Sequence, residues 1–419
     1  MATYINYGEG EEDATVQGAE WLQNLLQLSK SPEAAKAFAD KFKEHYSSQE
    51  SSTSFDYGPV FDLFVDYSEE LFAMVPETRP EERLKDLESY FALVLSMLLL
   101  LEDRDHIDKA TTRLCKLFSS SIEQQPELRL RLLMMLYNTF NNPTFEFRYP
   151  VFKHAVDYAA KADLFDQILP YLDYLETWML DWESYLKVED KRELYHDLST
   201  YLRNLGKKVD SYNHLKSYHM LYQGESADVL SRKDASDAAI QLIKDAVMLP
   251  NVFQFDDIVK LDTVKALRNG KQAGLVKLCD VFLLGDVKAL KEFQKKEGKV
   301  FEEHGLNFED AMGKLRLLTL ATVCQKLSEI SLEEVAQKLD EDAATVERTV
   351  VRAISEGIVD GRIDQLHKKL LVKSAFQRKF EKDEWSFLDS KLTQWVDNLE
   401  HVIKFIGEQK SAHPTQGGA

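Results

Sequence analysis

Apolar residues recur at helical spacing along most of the chain. Leu194, Leu198, Tyr201 and Leu205 show the pattern, separated by steps of four and three residues that place them on one face. The segments "PEERLKDLESYFALVLSMLLLLED", "DHIDKATTRLCKLFSS", "PELRLRLLMMLYNTF", "RYPVFKHAVDYAAKA", "DLFDQILPYLDYLETWMLDWE", "EDKRELYHDLSTYLRNLG" and "KKVDSYNHLKSYHMLYQG" follow one another with short breaks. Pro126 stands where a helix starts, Asn141–Pro143 where one ends, and Gly206 and Gly224 where C-terminal caps belong. Helices joined by short loops pack in pairs, and a long run of pairs predicts an α-solenoid of the HEAT or tetratricopeptide sort over residues 58–310. No strict period selects between the two. Residues 1–57 read as a loosely ordered N-terminal region, with a Ser-rich connection at Glu44–Gly58. Within that region Ser31 and Pro32 still mark a good helix start.

The pattern changes near residue 311. "AMGKLRLLTLATVCQKL" reads as a helix, and Ser331 then caps "LEEVAQKL", with Glu334 three residues on as in a capping box. "DEDA" makes a turn, and the next helix carries Val346, Val350 and Ile354 on one face up to Gly357. "IVDGRID" and "KKLLVKS" form a strand pair joined by "QLHK". Helix, helix, helix and a two-stranded wing make a winged helix over residues 311–376. A last helix spans 383–408, and 409–419 reads as a disordered tail. The fold class is all-α with a small β wing: helical repeats, a winged helix and a C-terminal helix.

A winged helix is a common DNA reader, and composition argues against that use here. The 419 residues carry 52 Lys and Arg against 71 Asp and Glu, a net charge of -19. The helix that would enter a groove holds Glu347, Arg348, Arg352 and Glu356, and Asp340, Glu341 and Asp342 precede it. Those carboxylates would meet phosphates. A protein-docking role and no direct duplex DNA binding are the expectation. Lys291, Lys295, Lys296 and Lys299 read as a solvated helix face. The longest apolar run, Tyr90–Leu101, is too short for a bilayer, so no membrane partner is expected. Cys115, Cys279 and Cys324 are odd in number and far apart, as buried reduced thiols of an intracellular protein would be. The N-terminus lacks the basic and apolar regions of a secretory signal.

Catalytic patterns are missing. The sequence has no phosphate-binding GxxxxGK[ST], no GxGxxG after a strand, no GxSxG and no HExxH. His214 and His219, five apart, are off the spacing for two ligands on a helix face and read as a surface pair. Trp178, Trp182 and Tyr185 sit at core spacing. The expectation is a non-enzyme with no catalytic, metal or cofactor-binding residues and no cofactor.

Five blocks in order carry a resemblance: Leu128–Phe140, "NVFQFDDIVKLDTVKAL" (Asn251–Leu267), "KLRLLTLATV" (Lys314–Val323), Gly357–Ser374 and "WSFLDSKLTQWVDNLEHV" (Trp385–Val402). They resemble the PCI-domain proteins, and the set is similar to the subunit M family of eukaryotic translation initiation factor 3. The resemblance implies a cytoplasmic, non-catalytic scaffold that assembles with other PCI and MPN subunits. Through that complex it would support recruitment of the small ribosomal subunit and messenger RNA. The seventh subunit of the signalosome shares the "F-x-F" and "KL…LT" blocks, so a scaffold of the signalosome or proteasome lid is the alternative. Direct RNA contact would have to use Lys368, Lys369 and Lys373, which Asp360 and Asp364 dilute.

Two surfaces are expected to make the contacts. If "KKLLVKS" is an edge strand, Leu370 and Val372 face one side and Leu371 the other, and the edge can pair with a neighbour. Trp385, Leu388, Leu392, Trp395, Leu399, Val402 and Ile406 are spaced by threes and fours as an unbroken heptad seam, broadened by Val396 and Ile403. The seam must be buried, against a partner helix or against the chain's own winged helix.

Overall fold

The computed structural model of the protein describes residues 14–28, 32–49, 56–74, 80–140, 142, 145–325, 327–379 and 382–412. The described residues are mostly α-helical, with one small antiparallel sheet near the C-terminus. The chain divides into two compact units, Met1–Leu194 and Tyr195–Ala419.

In the first unit most helices pack on the next helix in the chain or the next but one. Helix Ala14–Leu28 packs on Pro32–Gln49, and that helix packs on Gly58–Asp66. These two leading helices correct the reading of residues 1–57 as loosely ordered. Leu22, Leu26, Ala35 and Phe38 are buried, and Phe38 meets Phe64 edge-on at 5.8 Å between ring centroids. Ser31 and residues 50–55 lie outside the described residues.

Helix Arg104–Phe118 is capped by Asp103, whose side chain accepts from Asp105 N at 3.3 Å. Its far end is held by Arg129 of helix Pro126–Thr139. The Arg129 guanidinium is buried, donates from Nη1 to Leu117 O at 2.8 Å and from Nε to Gln124 O at 2.7 Å, and lies 3.7 Å from the Phe72 ring centroid. A cation at a helix C-terminus satisfies carbonyls that the helix leaves without partners. Trp178, Trp182 and Tyr185 are packing residues. Trp182 is buried against Tyr149 and Phe152, and Tyr185 Oη donates to Phe145 O at 3.1 Å.

The next helix is Val188–Asn204. It ends on Gly206, whose positive φ of 77° lets Lys207 N reach Leu202 O at 2.9 Å and Gly206 N reach Arg203 O at 2.9 Å. In the second unit, helices Lys208–Met220, Lys233–Met248, Ala273–Leu284 and Val287–Glu297 lead to Phe308–Cys324, the helix that enters the winged helix.

His219 corrects the surface-pair reading of His214 and His219. It is fully buried, its Nδ1 stands 3.0 Å from Thr263 Oγ1, and burial pulls its imidazole down to about 4. The three cysteines are free and buried. Burial pushes the Cys115 thiol up to about 12 and the Cys324 thiol up to about 11.

Candidate docking surfaces

The winged helix is built around the entry helix Phe308–Cys324. Leu317, Leu320, Ala321 and Cys324 form its buried face. Against it pack Val335 and Leu339 of helix Leu332–Leu339, and Val346, Val350 and Ala353 of helix Ala343–Ser355. Ser331 Oγ accepts from Glu334 N at 3.2 Å, the cap its spacing predicts. Asp340 takes the left-handed conformation in the turn, with φ 51°. Helix Ala343–Ser355 closes on Gly357 with the same pair of bonds as at Gly206: Ile358 N to Ala353 O at 2.9 Å and Gly357 N to Ile354 O at 3.1 Å.

Three strands complete the wing: β1 (Glu329–Ser331), β2 (Val359–Asp364) and β3 (Lys369–Ala375). They lie in the order β1-β3-β2, all antiparallel. This order overturns the expectation that "KKLLVKS" is an edge. β3 is the central strand, because Glu329–Ser331, too short to announce itself in the sequence, pairs with Lys369–Leu371. The alternation of faces is as read: Leu370 is fully buried, Val372 packs partly buried on the same core, and Leu371 faces solvent. Neither predicted interaction residue of this strand offers a free contact. The Leu370 side chain belongs to the core, and Val372 N already donates to Ser328 O at 2.8 Å. The edges of the sheet are β1 and β2.

Charges on the outward face of helix Ala343–Ser355 are partly paired. Arg352 Nε donates to Glu356 Oε1 at 2.7 Å, and Gln365 Nε2 donates to Glu347 at 3.2 Å. In the turn before it, Glu341 accepts from Thr349 Oγ1 at 2.8 Å and pairs with Arg316 at 3.2 Å, while Asp340 pairs with Lys291. On the wing, Lys369 pairs with Glu329 and Lys373 with Asp360, both at 3.1 Å. Of the six cations on this helix and the wing, Arg352, Lys369 and Lys373 are engaged by neighbouring carboxylates, while Arg348, Arg362 and Lys368 are exposed.

Two buried cations fasten the winged helix to the helices before it within this unit. The Lys314 ammonium donates to Ala246 O and, at 2.7 Å, to Leu249 O, the terminal carbonyls of helix Lys233–Met248. The rings of Phe255 and Phe253 stand 5.1 and 5.8 Å from it. Burial holds its ammonium down to about 7. Beyond β3, Arg378 donates to Phe282 O at 2.5 Å, Gly285 O at 2.9 Å and Thr322 Oγ1 at 3.2 Å, gripping the end of helix Ala273–Leu284. Sequence reading missed both; the signal for Lys314 was a lysine in helical step with Leu317 and Ala321 on the buried face of the entry helix.

The C-terminal helix runs from Lys382 to Ala412, past the expected end at 408; residues 413–419 lie outside the described residues. All seven predicted seam residues, Trp385, Leu388, Leu392, Trp395, Leu399, Val402 and Ile406, are exposed, from 38% at Leu388 to 63% at Trp395. Val396, Ile403 and Phe405 are exposed beside them. The winged helix of the same chain leaves the seam uncovered. Among the described residues, no group of three or more His, Cys, Asp or Glu side chains is arranged to hold a metal ion, and no helix is long and apolar enough to cross a membrane.

Comparison with known proteins agrees with this architecture. The PCI domain family matches residues 290–374, from helix Val287–Glu297 through β3. Subunit M of eukaryotic translation initiation factor 3 from Mus musculus is 30% identical over 319 residues, which cover 76% of this chain and 82% of that protein. The Nematostella vectensis subunit M is 28% identical over 319 residues, covering 76% and 81%. That of Dictyostelium discoideum is 24% identical over 330 residues, covering 78% and 80%. With a winged helix in the matched segment and the similarity extending far into the helices before it, the chain belongs to the subunit M family of eukaryotic translation initiation factor 3.

Proposed function

We propose that this protein is a non-catalytic scaffold subunit of initiation factor 3 that enters the complex through its C-terminal helix. The observation that carries this reading is the exposed seam from Trp385 to Ile406 on a continuous helix. An unbroken heptad of large apolar side chains costs solubility unless a partner buries it. Burial contributes roughly 1.5–3 kcal/mol per large side chain before ordering costs, so seven are ample for a stable joint. Arg378 fixes the chain a few residues before the helix, which gives the seam a defined origin. The partners are helices of other PCI and MPN subunits, and the broad stripe with Val396 and Ile403 suits a bundle of several helices. Through the assembled factor, in the cytoplasm, the subunit supports recruitment of the small ribosomal subunit and messenger RNA.

Truncation after Lys382 tests this. The shortened protein is expected to stay folded, with an unchanged melting temperature, and to be absent from the purified complex. Incorporation at the normal level would remove the seam from the assembly mechanism.

A further inference from the structure

Between Lys161 and Lys187 the chain has no lysine, arginine or histidine, while Asp163, Asp166, Asp173, Glu176, Asp181 and Glu183 fall in the same span. The stretch folds as helices Leu169–Leu172 and Leu175–Asp181 after a short 3-10 turn. Its inner residues Phe165, Ile168, Leu175, Met179 and Trp182 are buried. Its outer side exposes three large residues, Tyr171 at 42%, Tyr174 at 60% and Leu180 at 71%. Tyr174 stacks on Trp178 at 6.3 Å and 26°, and Trp178 packs in turn against Tyr137 at 5.4 Å and Phe152 at 5.2 Å. The exposed ring is therefore backed by the core and holds its position. Asp173, Glu176 and Glu183 are exposed and form no ion pair among the described residues.

We propose that this face of the first unit docks an arginine- and lysine-rich peptide segment of a partner protein. The rings supply rigid apolar area at low entropic cost, as tyrosines do at interfaces. An arginine is the side chain that uses both features at once, stacking its guanidinium on a tyrosine while donating to a carboxylate. A neutral apolar segment would desolvate the carboxylates without compensation. A nucleic acid or an anionic membrane would be repelled. The face shares no residue with the C-terminal seam, so its test does not depend on the assembly described above.

The test is fluorescence anisotropy of the full-length chain with a labelled peptide of alternating arginine and leucine. A glutamate–leucine peptide and a single-stranded RNA serve as competing probes. Asp173→Lys with Glu176→Lys is expected to weaken arginine-peptide binding by about tenfold or more, and Tyr174→Ala by about fivefold. Charge reversal at Glu302 and Glu303, an exposed acidic pair elsewhere, is expected to change it less than about twofold. All of these side chains are exposed, so melting temperatures should match that of the parent. Undetectable binding of the arginine peptide, equal losses from the two charge reversals, or tighter binding of the glutamate peptide or the RNA would each overturn the proposal.

Discussion

The Lys314 ammonium stands 5.1 Å from the centre of the Phe255 ring, at the joint between the entry helix and the end of helix Lys233–Met248. Two separate sequence blocks, "NVFQF" and "KLRLLTLATV", meet in this one contact. Among the described residues no carboxylate pairs with the ammonium; carbonyls and aromatic faces hold it, and Glu356 attracts it from further away. Replacing Lys314 with Met keeps the volume and leaves the carbonyls of Ala246 and Leu249 without their donor. A loss of ~2–4 kcal/mol is expected, read from the shift in a urea unfolding midpoint. A midpoint within error of the parent would mean that the carbonyls find other partners.

The same residue sets a pH dependence. Lys314 has its folded-state value lowered from 10.5 to about 7. Between those values the unfolded chain binds more protons than the folded one, so this group makes stability rise with pH. Its penalty is fully present below about pH 7 and is relieved as pH climbs toward 10.5. The parent should therefore gain on Lys314→Met across pH 7 to 9, with a slope approaching ~1.4 kcal/mol per unit. Parallel stability curves would show that Lys314 keeps its ordinary affinity for the proton.

His219 gives a second window at lower pH. Its folded value is lowered from 6.5 to about 4 by burial. Stability from this group is present above 6.5 and is lost as pH falls through the interval toward 4. His219→Asn, which keeps a polar partner for Thr263, should flatten thermal melting across pH 4 to 6.5 relative to the parent. Identical slopes in the two proteins would exclude His219 as a source of acid sensitivity.

Much of the winged helix was legible because its signals are local. The Ser331 cap, the turn at Asp340–Ala343, the Val346–Val350 face and the Gly357 stop each depend on a few consecutive residues. Strand order was not legible. Glu329–Ser331 is three residues long, carries no alternation and becomes a strand only because β3 is there to pair with it. The buried cations escaped for a related reason. Lys314, Arg378 and Arg129 read as ordinary charged residues until the carbonyl ends of distant helices converge on them. For the C-terminal helix the spacing alone was enough to expect a continuous helix, and the seam residues lie exposed along it.

The central place of β3 changes what a break in it does. Val372→Pro removes the donor to Ser328 O and puts a ring into the middle of the sheet, and Leu370→Ala empties a fully buried site. Each should cost about 3 kcal/mol or more, by lost ladder bonding in one case and a cavity in the other. Both variants are expected to lower the melting temperature of the isolated chain. Loss of assembly with unchanged stability would instead restore β3 to the role of a contact strand.

Duplex binding follows from the paired charges on helix Ala343–Ser355 and the wing. With Arg352, Arg316, Lys291, Lys369 and Lys373 each engaged by a carboxylate, Arg348, Arg362 and Lys368 are the cations of this helix and wing left to displace counterions, and the chain's surplus of carboxylates opposes them. Affinity for duplex DNA should be ~10⁻⁴ M or weaker at physiological salt. A submicromolar constant with a steep salt slope, measured by anisotropy on a labelled duplex, would reverse this reading.

The seam of the C-terminal helix can be tested without deleting it. Trp395 and Leu399 lie one turn apart and are 63% and 61% exposed in the isolated chain. Replacing both with Glu removes two large contacts and puts like charges where partner helices would meet. Because neither side chain is buried in the protein's own core, stability alone should change by no more than about 0.5 kcal/mol. In the complex the same two changes forfeit the burial of both side chains and leave carboxylates in an apolar interface. That cost exceeds ~3 kcal/mol, enough to lower occupancy more than a hundredfold at fixed subunit concentration. Co-expression with the other subunits and quantification of the recovered complex reads the effect directly. A charge change of the same sign on the polar side of the helix, Lys391→Glu, is the matched control and should leave recovery near normal. If the double variant is recovered as well as Lys391→Glu, another surface anchors the subunit; if it melts well below the parent, the seam contributes to the chain's own fold.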